Sequence, residues 1–213
     1  MKNYKVTLVL SIAFIILIGG TAGLLVLSPN SNNIEKARQA CVLVTDGWGH
    51  GSGVHIGDGI ILTAAHVACI DNIWVEDFEG RTYTVIDQWI DPFWEDVGFI
   101  RIRRKDLPKL EFGLFPKVGD TAYVIGTPLD QNIKLNFTKG IVSNVHVDID
   151  GWWYDALIVD AASFPGNSGG PVLNENFEII GILVGGYGSF DSLSICEPLN
   201  DILDVLVLYL GKE

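Results

Sequence analysis

Three separate segments of the chain carry residue types that could perform acyl transfer. They are GHGSGVHIGDGIILTAAHV with His66, WEDVGFIRI with Asp96, and FPGNSGGPVLN with Ser168. Acyl transfer needs a nucleophile, a base that takes its proton, an acid that orients the base, and hydrogen-bond donors for the oxyanion. The three segments supply one of each. We therefore predict that His66, Asp96 and Ser168 act together as a catalytic triad.

Glycines surround the candidate nucleophile in the sequence GNSGG. Glycine permits a tight turn that exposes a hydroxyl group and directs backbone N–H groups at one point. We expect the N–H groups of Gly166 and Ser168 to form an oxyanion hole. Pro165, with its fixed φ, directly precedes Gly166 and restricts this loop, so the sequence leaves open whether the hole is preformed.

The base and the acid follow from position and order. His66 comes after the apolar run IILTA, and a neutral imidazole can accept a proton near pH 7. Asp96 directly precedes the strand-like run VGFIRI, whereas the rival acid Asp91 precedes Pro92 in a predicted loop. A lone histidine or serine is usually structural. The prediction depends on all three residues and on their order along the chain, His, Asp, Ser.

The elements that must position these residues are mainly strands. After residue 40 the chain consists of short runs rich in Val, Ile and aromatic residues, broken by Gly, Asp and Asn. This pattern predicts an all-β protein, built as two packed barrels or a sandwich. The end of the chain differs, because LNDILDVLVLYL has a helical spacing of apolar residues. Its predicted apolar face consists of Leu199, Ile202, Leu203, Leu206 and Leu210.

The segments LTAAHV, EDVGFIRI and PGNSGGPVLN resemble the three active-site blocks of trypsin-like serine peptidases. The strings IVDAASFPGNSGGPVLNENFEIIGI, SGVHIGDGIILTAAHV and GTPLD…TKGIVS are similar to those of the HtrA (Deg) branch. The resemblance covers about Val42 to Leu203. It implies two six-stranded antiparallel β-barrels with the triad between them, and hydrolysis of peptide bonds through an acyl-enzyme. It also implies that the enzyme uses no metal and no cofactor.

The same resemblance implies a substrate site. Val184, Gly185 and Gly186 are similar to the strand that pairs with the substrate backbone, and Ala162 and Ser163 are similar to residues beside the primary specificity pocket. Neither of the last two is acidic, so we expect small or aliphatic side chains rather than Lys or Arg. HtrA-type enzymes usually carry PDZ domains after the peptidase. This chain stops soon after its predicted closing helix, so we expect no PDZ domain.

The N-terminus has the composition of a membrane anchor. Residues 6–27 contain no charge, follow a short segment 1–5 with two lysines, and are long enough to cross a bilayer of about 30 Å as a helix. We predict a single-pass anchor with the peptidase domain outside the cytosol. The small residues Thr21, Ala22 and Gly23 leave cleavage as a signal peptide as an alternative. Residues 28–39 then form a linker and residues 40–213 the peptidase domain.

The charge of the chain limits the kinds of partner that it can bind. All 26 acidic residues lie from Glu35 onward, with 12 of the 14 basic residues, and such a surface repels nucleic acid. We expect protein or peptide substrates and the membrane as partners, but no nucleic acid.

Cys41, Cys69 and Cys196 could form any one of three disulfides, or Cys41 and Cys196 could be small apolar residues in strands. The sequence identifies no oligomeric state. The alternative function is a catalytically silent, anchored scaffold with the same fold.

Overall fold

The computed structural model describes residues 31–93, 95–149, 153–186 and 193–212, and for residues 153 and 154 it describes the backbone alone. The predicted anchor over residues 6–27 and the segment 1–5 lie outside these ranges. Within them, no helix is both long enough and apolar enough to cross a bilayer. The chain divides into two compact units, residues 1–34 and residues 35–213. Helix α1 (Ser31–Ala40) occupies part of the predicted linker and ends where the first strand begins.

The first barrel closes from six antiparallel strands in the order β1-β2-β3-β6-β5-β4. Its strands are β1 (Cys41–Thr45), β2 (His50–Gly57), β3 (Ile60–Thr63), β4 (Trp74–Glu76), β5 (Thr82–Ile90) and β6 (Gly98–Ile102). The short helix α2 (Ala65–Ala68) follows β3 directly.

The second barrel also closes from six antiparallel strands, in the order β10-β11-β12-β9-β8-β7. Its strands are β7 (Thr121–Gly126), β8 (Asn136–Ile149), β9 (Trp153–Asp160), β10 (Pro171–Leu173), β11 (Ile179–Gly186) and β12 (Ser194–Pro198). The prediction of two six-stranded barrels is therefore confirmed. Closure leaves neither barrel with a continuous exposed edge, which protects an all-β protein from edge-to-edge association.

Burial explains why the short apolar runs become strands. Strand β1 is buried along its whole length, and β3 is buried as well, while β5 alternates between exposed and half-buried residues. Strands that are buried on both faces are uniformly apolar, and strands with one solvated face alternate. Each barrel thus has its own core, and the second core is built around Leu157, Val172 and Leu183.

The closing helix predicted from the sequence is α3 (Leu199–Gly211). Its buried face differs from the predicted one, because Val205 and Tyr209 are buried while Leu210 is half exposed. The helix is apolar on most of its circumference, so spacing alone does not select a face. Tyr209 decides it: its ring stacks on Phe99 of the first barrel with centroids 4.6 Å apart.

The three cysteines are all unbonded. Cys41 and Cys196 are fully buried in β1 and β12, and Cys69 is exposed after helix α2. The structure therefore agrees with the alternative in which Cys41 and Cys196 are small apolar strand residues.

Candidate active site

The histidine and the acid of the predicted triad meet at the start of helix α2. Oδ2 of Asp96 lies 2.6 Å from Nδ1 of His66, and Oδ1 of Asp96 accepts the backbone N–H of His66 at 2.9 Å. The backbone carbonyl of Asp96 also accepts the N–H of Ala65 at 3.1 Å. These contacts fix both the position and the ring orientation of the imidazole, and they leave Nε2 directed away from the acid.

The rival acid does not reach the histidine. Asp91 is buried, and its Oδ2 accepts the backbone N–H groups of Phe93 and Glu95 at 2.7 and 3.0 Å. It therefore shapes the loop between β5 and β6, at the end of which Asp96 lies. The preference for Asp96 over Asp91 agrees with this geometry.

The serine loop is held against the first barrel. Ser52 of β2 donates its backbone N–H to the carbonyl of Ser168 at 2.7 Å and its hydroxyl to the carbonyl of Gly166 at 2.9 Å. A Cβ atom on Gly169 would lie 2.0 Å from Oγ1 of Thr63 and 2.9 Å from the backbone N of Ala64. The loop thus packs on the residues that lead into helix α2, which carries His66.

The two predicted oxyanion donors are the backbone N–H groups of Gly166 and Ser168. In the part of the chain that the structure describes, neither the N–H of Gly166 nor that of Ser168 donates a hydrogen bond within the protein. Gly166 has a φ of +100°, which glycine tolerates and other residues rarely adopt. The carbonyl of Pro165 accepts the N–H of Leu129 at 2.7 Å. Because the C=O and N–H of a trans peptide point in opposite directions, this bond aims the Gly166 N–H away from Leu129.

The structure does not join the nucleophile to the base. Among the described residues, no hydrogen bond links the hydroxyl of Ser168 to His66. Hydrogen bonds of this kind are often long in a free enzyme and shorten when substrate binds. His66 is half exposed on its side chain, so the space beside it is open to an approaching chain.

The predicted substrate strand has one unpaired side. Strand β10 pairs with β11 only as far as Ile182, whereas β12 pairs with Gly185 and Gly186 on the other side. Beyond Leu183, which bonds to Gly170, residues Val184 to Gly186 have no described neighbour on the β10 side. Such an edge can accept an extended peptide as an additional strand.

The predicted specificity residues lie beside this strand. Ser194 of β12 stands opposite Gly186, and its hydroxyl contacts that of Ser163 at 2.7 Å. The carbonyl of Ala162 accepts a hydrogen bond from Thr138 at 3.1 Å. These neighbours are all uncharged, so none of them would pair with a basic substrate side chain.

A buried carboxyl group, which the sequence did not predict, lies behind Asp96. Oε1 of Glu197, from β12, accepts the backbone N–H of Asp96 at 3.1 Å. Burial, together with the charges of Glu95, Asp96 and Asp201, raises the pKa of Glu197 to about 8 despite the bond from Asp96. Burial and neighbouring acids also raise the pKa of Asp201 to about 7. A single acid within the buried run SICEP was the available signal.

Two further residues contact the serine loop. Ser52, in the segment GHGSG, is fully buried and also accepts the N–H of Thr127. His50 is the first residue of β2. Its Nε2 bonds to the carbonyl of Thr127 at 2.9 Å and lies 2.4 Å from where a Cβ of Gly166 would be. Glycine at position 166 is therefore required by space as well as by φ.

Comparison with known proteins agrees with this fold. The model of the trypsin-like peptidase domain family matches residues 51–182. A "Probable periplasmic serine endoprotease DegP-like" of Chlamydia pneumoniae is 34% identical over 165 residues, which cover 70% of this chain and 32% of that protein. A protein of the same description from Pseudomonas putida (strain W619) is 35% identical over 185 residues, covering 83% of this chain and 36% of its own length. The chain thus spans about a third of the length of these curated relatives.

Solved structures show the same architecture. The HtrA-type protease AlgW with a decapeptide superposes with a TM-score of 0.77 at 23% identity, covering 87% of this chain and 68% of that chain. A serine endoprotease from Yersinia pestis superposes with a TM-score of 0.71 at 28% identity, covering 84% and 65%. From the family match and from these relatives, the chain belongs to the trypsin-like peptidase domain family and resembles its DegP/HtrA members.

Proposed function

We propose that this protein is a serine endopeptidase of the HtrA type, which hydrolyses peptide bonds of protein substrates with His66, Asp96 and Ser168. The observation that carries the proposal is the double contact of Asp96 with His66. The glycine after Ser168, Gly169, packs just before the helix that carries His66. The DegP-like relatives, which are described as serine endoproteases, support the same activity.

The mechanism begins with proton transfer from Ser168 to His66. As the Ser168 oxygen attacks the scissile carbonyl carbon, Nε2 of His66 takes the hydroxyl proton. Asp96 accepts the Nδ1–H bond throughout, so it keeps the imidazole in the tautomer whose Nε2 is a free acceptor and stabilises the imidazolium that forms. His66 then gives the proton to the leaving amine, which departs and leaves an acyl group on Ser168. Water, activated by the same histidine, releases the acyl group.

The negative charge on the carbonyl oxygen needs donors that are already oriented. The free N–H groups of Gly166 and Ser168 would supply them, and one such donor is typically responsible for about 10²–10³ in rate. The Leu129–Pro165 bond supports an arrangement in which the Gly166 N–H is oriented before substrate arrives.

Substrates would bind as extended chains along Val184 to Gly186. The unpaired side of this strand supports backbone pairing, and AlgW was solved with a decapeptide and with a tripeptide. The uncharged surroundings of Ser163 support a preference for small or aliphatic side chains over basic ones. Either general quality control or processing of one partner would use this same site.

We further propose that residues 6–27 anchor the protein in a membrane, with the peptidase domain on the extracytoplasmic side. The support is the uncharged 22-residue run and the description of the DegP-like relatives as periplasmic. A protease-protection assay on membranes containing the full chain tests the orientation. A domain degraded by protease added from the cytosolic side would contradict it.

A second candidate is a catalytically silent scaffold with the same fold. The observation that favours it is the lack of a hydrogen bond between the Ser168 hydroxyl and His66 in the described structure. The intact pair of oxyanion donors favours the peptidase instead.

Covalent labelling separates the two candidates. The full chain in detergent is treated with a fluorophosphonate, alongside Ser168→Ala and a control with an unrelated serine changed, Ser143→Ala. We expect labelling of the parent and of S143A, and none of S168A, when each protein is measured by intact mass. A parent that fails to label, while it degrades no unfolded casein, would support the scaffold.

A further inference from the structure

The buried carboxyl group of Glu197 connects the second barrel to the acid of the proposed triad. Glu197 lies on β12, only 4% exposed, and its Oε1 accepts the Asp96 N–H at 3.1 Å. Asp96 precedes β6 of the first barrel, so the bond joins residues 101 positions apart in the chain. The bond therefore crosses from one barrel to the other directly behind the His66–Asp96 pair.

The backbone of Asp96 is held on both sides. Its carbonyl accepts the N–H of Ala65 within the first barrel, and its N–H donates to Glu197 of the second. Both side-chain oxygens of Asp96 are committed to His66. Because a carboxylate on a short side chain moves with its backbone, the two backbone bonds determine where the oxygens of Asp96 meet the imidazole.

Glu197 is suited to this task as an uncharged acceptor. Glu95 and Asp201 bring carboxyl oxygens within 4.8 Å of those of Glu197, and Asp96 adds a fourth acidic group. Burial and these neighbours raise the pKa of Glu197 to about 8, so the group is mainly protonated at pH 7. A protonated carboxyl still accepts through its carbonyl oxygen and can donate to a neighbouring acid. Glutamine matches it in shape and charge, and methionine matches it in shape alone.

We propose that Glu197 is a positioning residue for the reaction, which holds Asp96 from the second barrel so that Asp96 can orient His66. The proposal rests on the proposed peptidase function, since it assigns the two barrels a shared role in one site. It predicts that the acceptor oxygen at position 197 matters and that its negative charge does not.

The test compares Glu197→Gln with Glu197→Met in the full chain in detergent. The maximal rate and the half-saturating concentration of fluorophosphonate labelling are measured for each, with exposed Glu175→Gln as the control. We expect E197Q and E175Q to label at the parent rate. E197M should lose about 10- to 100-fold in maximal rate, with little change in half-saturation, because a displacement near 1 Å costs up to about 10² in rate. Thermal unfolding checks that each variant is folded, and Glu197→Leu replaces E197M if the latter does not fold.

A second readout does not depend on activity. In the Ser168→Ala background, proton NMR follows the Nδ1–H of His66, whose resonance reports its bond to Asp96. The resonance should remain at the parent position in E197Q and shift or disappear in E197M. Parent-like labelling and resonance in E197M would overturn the proposal, as would an E197Q that behaves like E197M. If the fluorophosphonate does not label the parent protein, that result contradicts the peptidase function instead. The NMR comparison then still decides the role of Glu197.

Discussion

Asp96 contacts His66 at two points, with one oxygen on the ring nitrogen at 2.6 Å and the other on the backbone N–H at 2.9 Å. The acid thereby fixes the ring tautomer and the start of helix α2 together. A substitution at Asp96 can therefore remove its contact with the ring nitrogen and keep its contact with the backbone N–H.

Asp96→Asn should remove most activity without unfolding the protein. The amide oxygen can still accept the His66 N–H, but the amide nitrogen cannot accept from Nδ1, so the wrong tautomer of His66 is favoured. We expect kcat to fall by about 10⁴, because a catalytic triad whose base is held in the wrong tautomer loses about that factor in rate. Hydrolysis of casein and thermal unfolding are measured in parallel. Asp91→Asn is the matched control. It should lower Tm and leave kcat close to that of the parent. An active D96N would contradict the proposed role.

Gly169→Ala should prevent stable folding of the serine loop. Gly169 has a φ of +83°, and an added Cβ would lie 2.0 Å from Oγ1 of Thr63 and 2.2 Å from the carbonyl of Ser52. Neither neighbour can retreat, because Thr63 and Ser52 are buried and bonded to each other. We expect no soluble folded protein, or a Tm lowered by well over ten degrees.

Gly119→Ala is the control for this substitution. Gly119 has a φ of +92°, but no atom lies within 4 Å of the added Cβ. Gly119→Ala should lower the free energy of unfolding only by the backbone strain, about 1–2 kcal/mol. Each kcal/mol lowers the Tm of a domain of this size by roughly 2–4 °C. Equal effects of the two substitutions would show that the contact with Thr63 is unimportant.

Stability should fall as pH rises from about 5 to 8. A glutamate has a pKa of about 4.3 in an unfolded chain, and that of Glu197 is raised to about 8 in the folded protein. The folded state therefore binds more protons across this window. The contribution of Glu197 to stability is therefore complete below its pKa in the unfolded chain. It is lost as pH rises through its pKa in the folded protein. Asp201, with its pKa raised to about 7, acts in the same direction.

The variant E197Q isolates this effect. It should be more stable than the parent at pH 8, by an amount on the order of a few kcal/mol, and should approach the parent near pH 5. Buried His55, whose pKa is lowered by burial, changes stability in the opposite direction but equally in both proteins. The free energy of unfolding in urea is measured at pH 5, 6.5 and 8. A constant difference between the two proteins would contradict the assignment.

Alkylation should distinguish the three cysteines. Cys69 is exposed, whereas burial raises the pKa of the Cys41 and Cys196 thiols far above the ordinary value. Iodoacetamide at pH 8 should add one group to the folded protein and three to the unfolded protein, as measured by intact mass. Cys69→Ser should add none when folded. Two or more additions to the folded parent would show that a buried strand opens readily.

The sequence by itself determined the class of fold and predicted the chemistry. Short apolar runs between glycines and acids can become little other than strands, and the order of His66, Asp96 and Ser168 with a GNSGG loop is compatible with few sites. These features are local in the chain, because strand patterning and turn-forming glycines act over a few residues.

Only the tertiary structure decided which residues meet across the barrels. Nothing near Glu197 in the chain indicates that its carboxyl group bonds to Asp96, 101 residues away, and nothing near Ser52 indicates that it holds the carbonyl groups of Gly166 and Ser168. The buried face of helix α3 also differs from the predicted one, because its apolar residues surround the axis and the stacking of Tyr209 on Phe99 selects one side. Such contacts depend on barrel closure, which brings strands that are distant in the chain together. The spacing of residues along the chain does not predict which of these strands become neighbours.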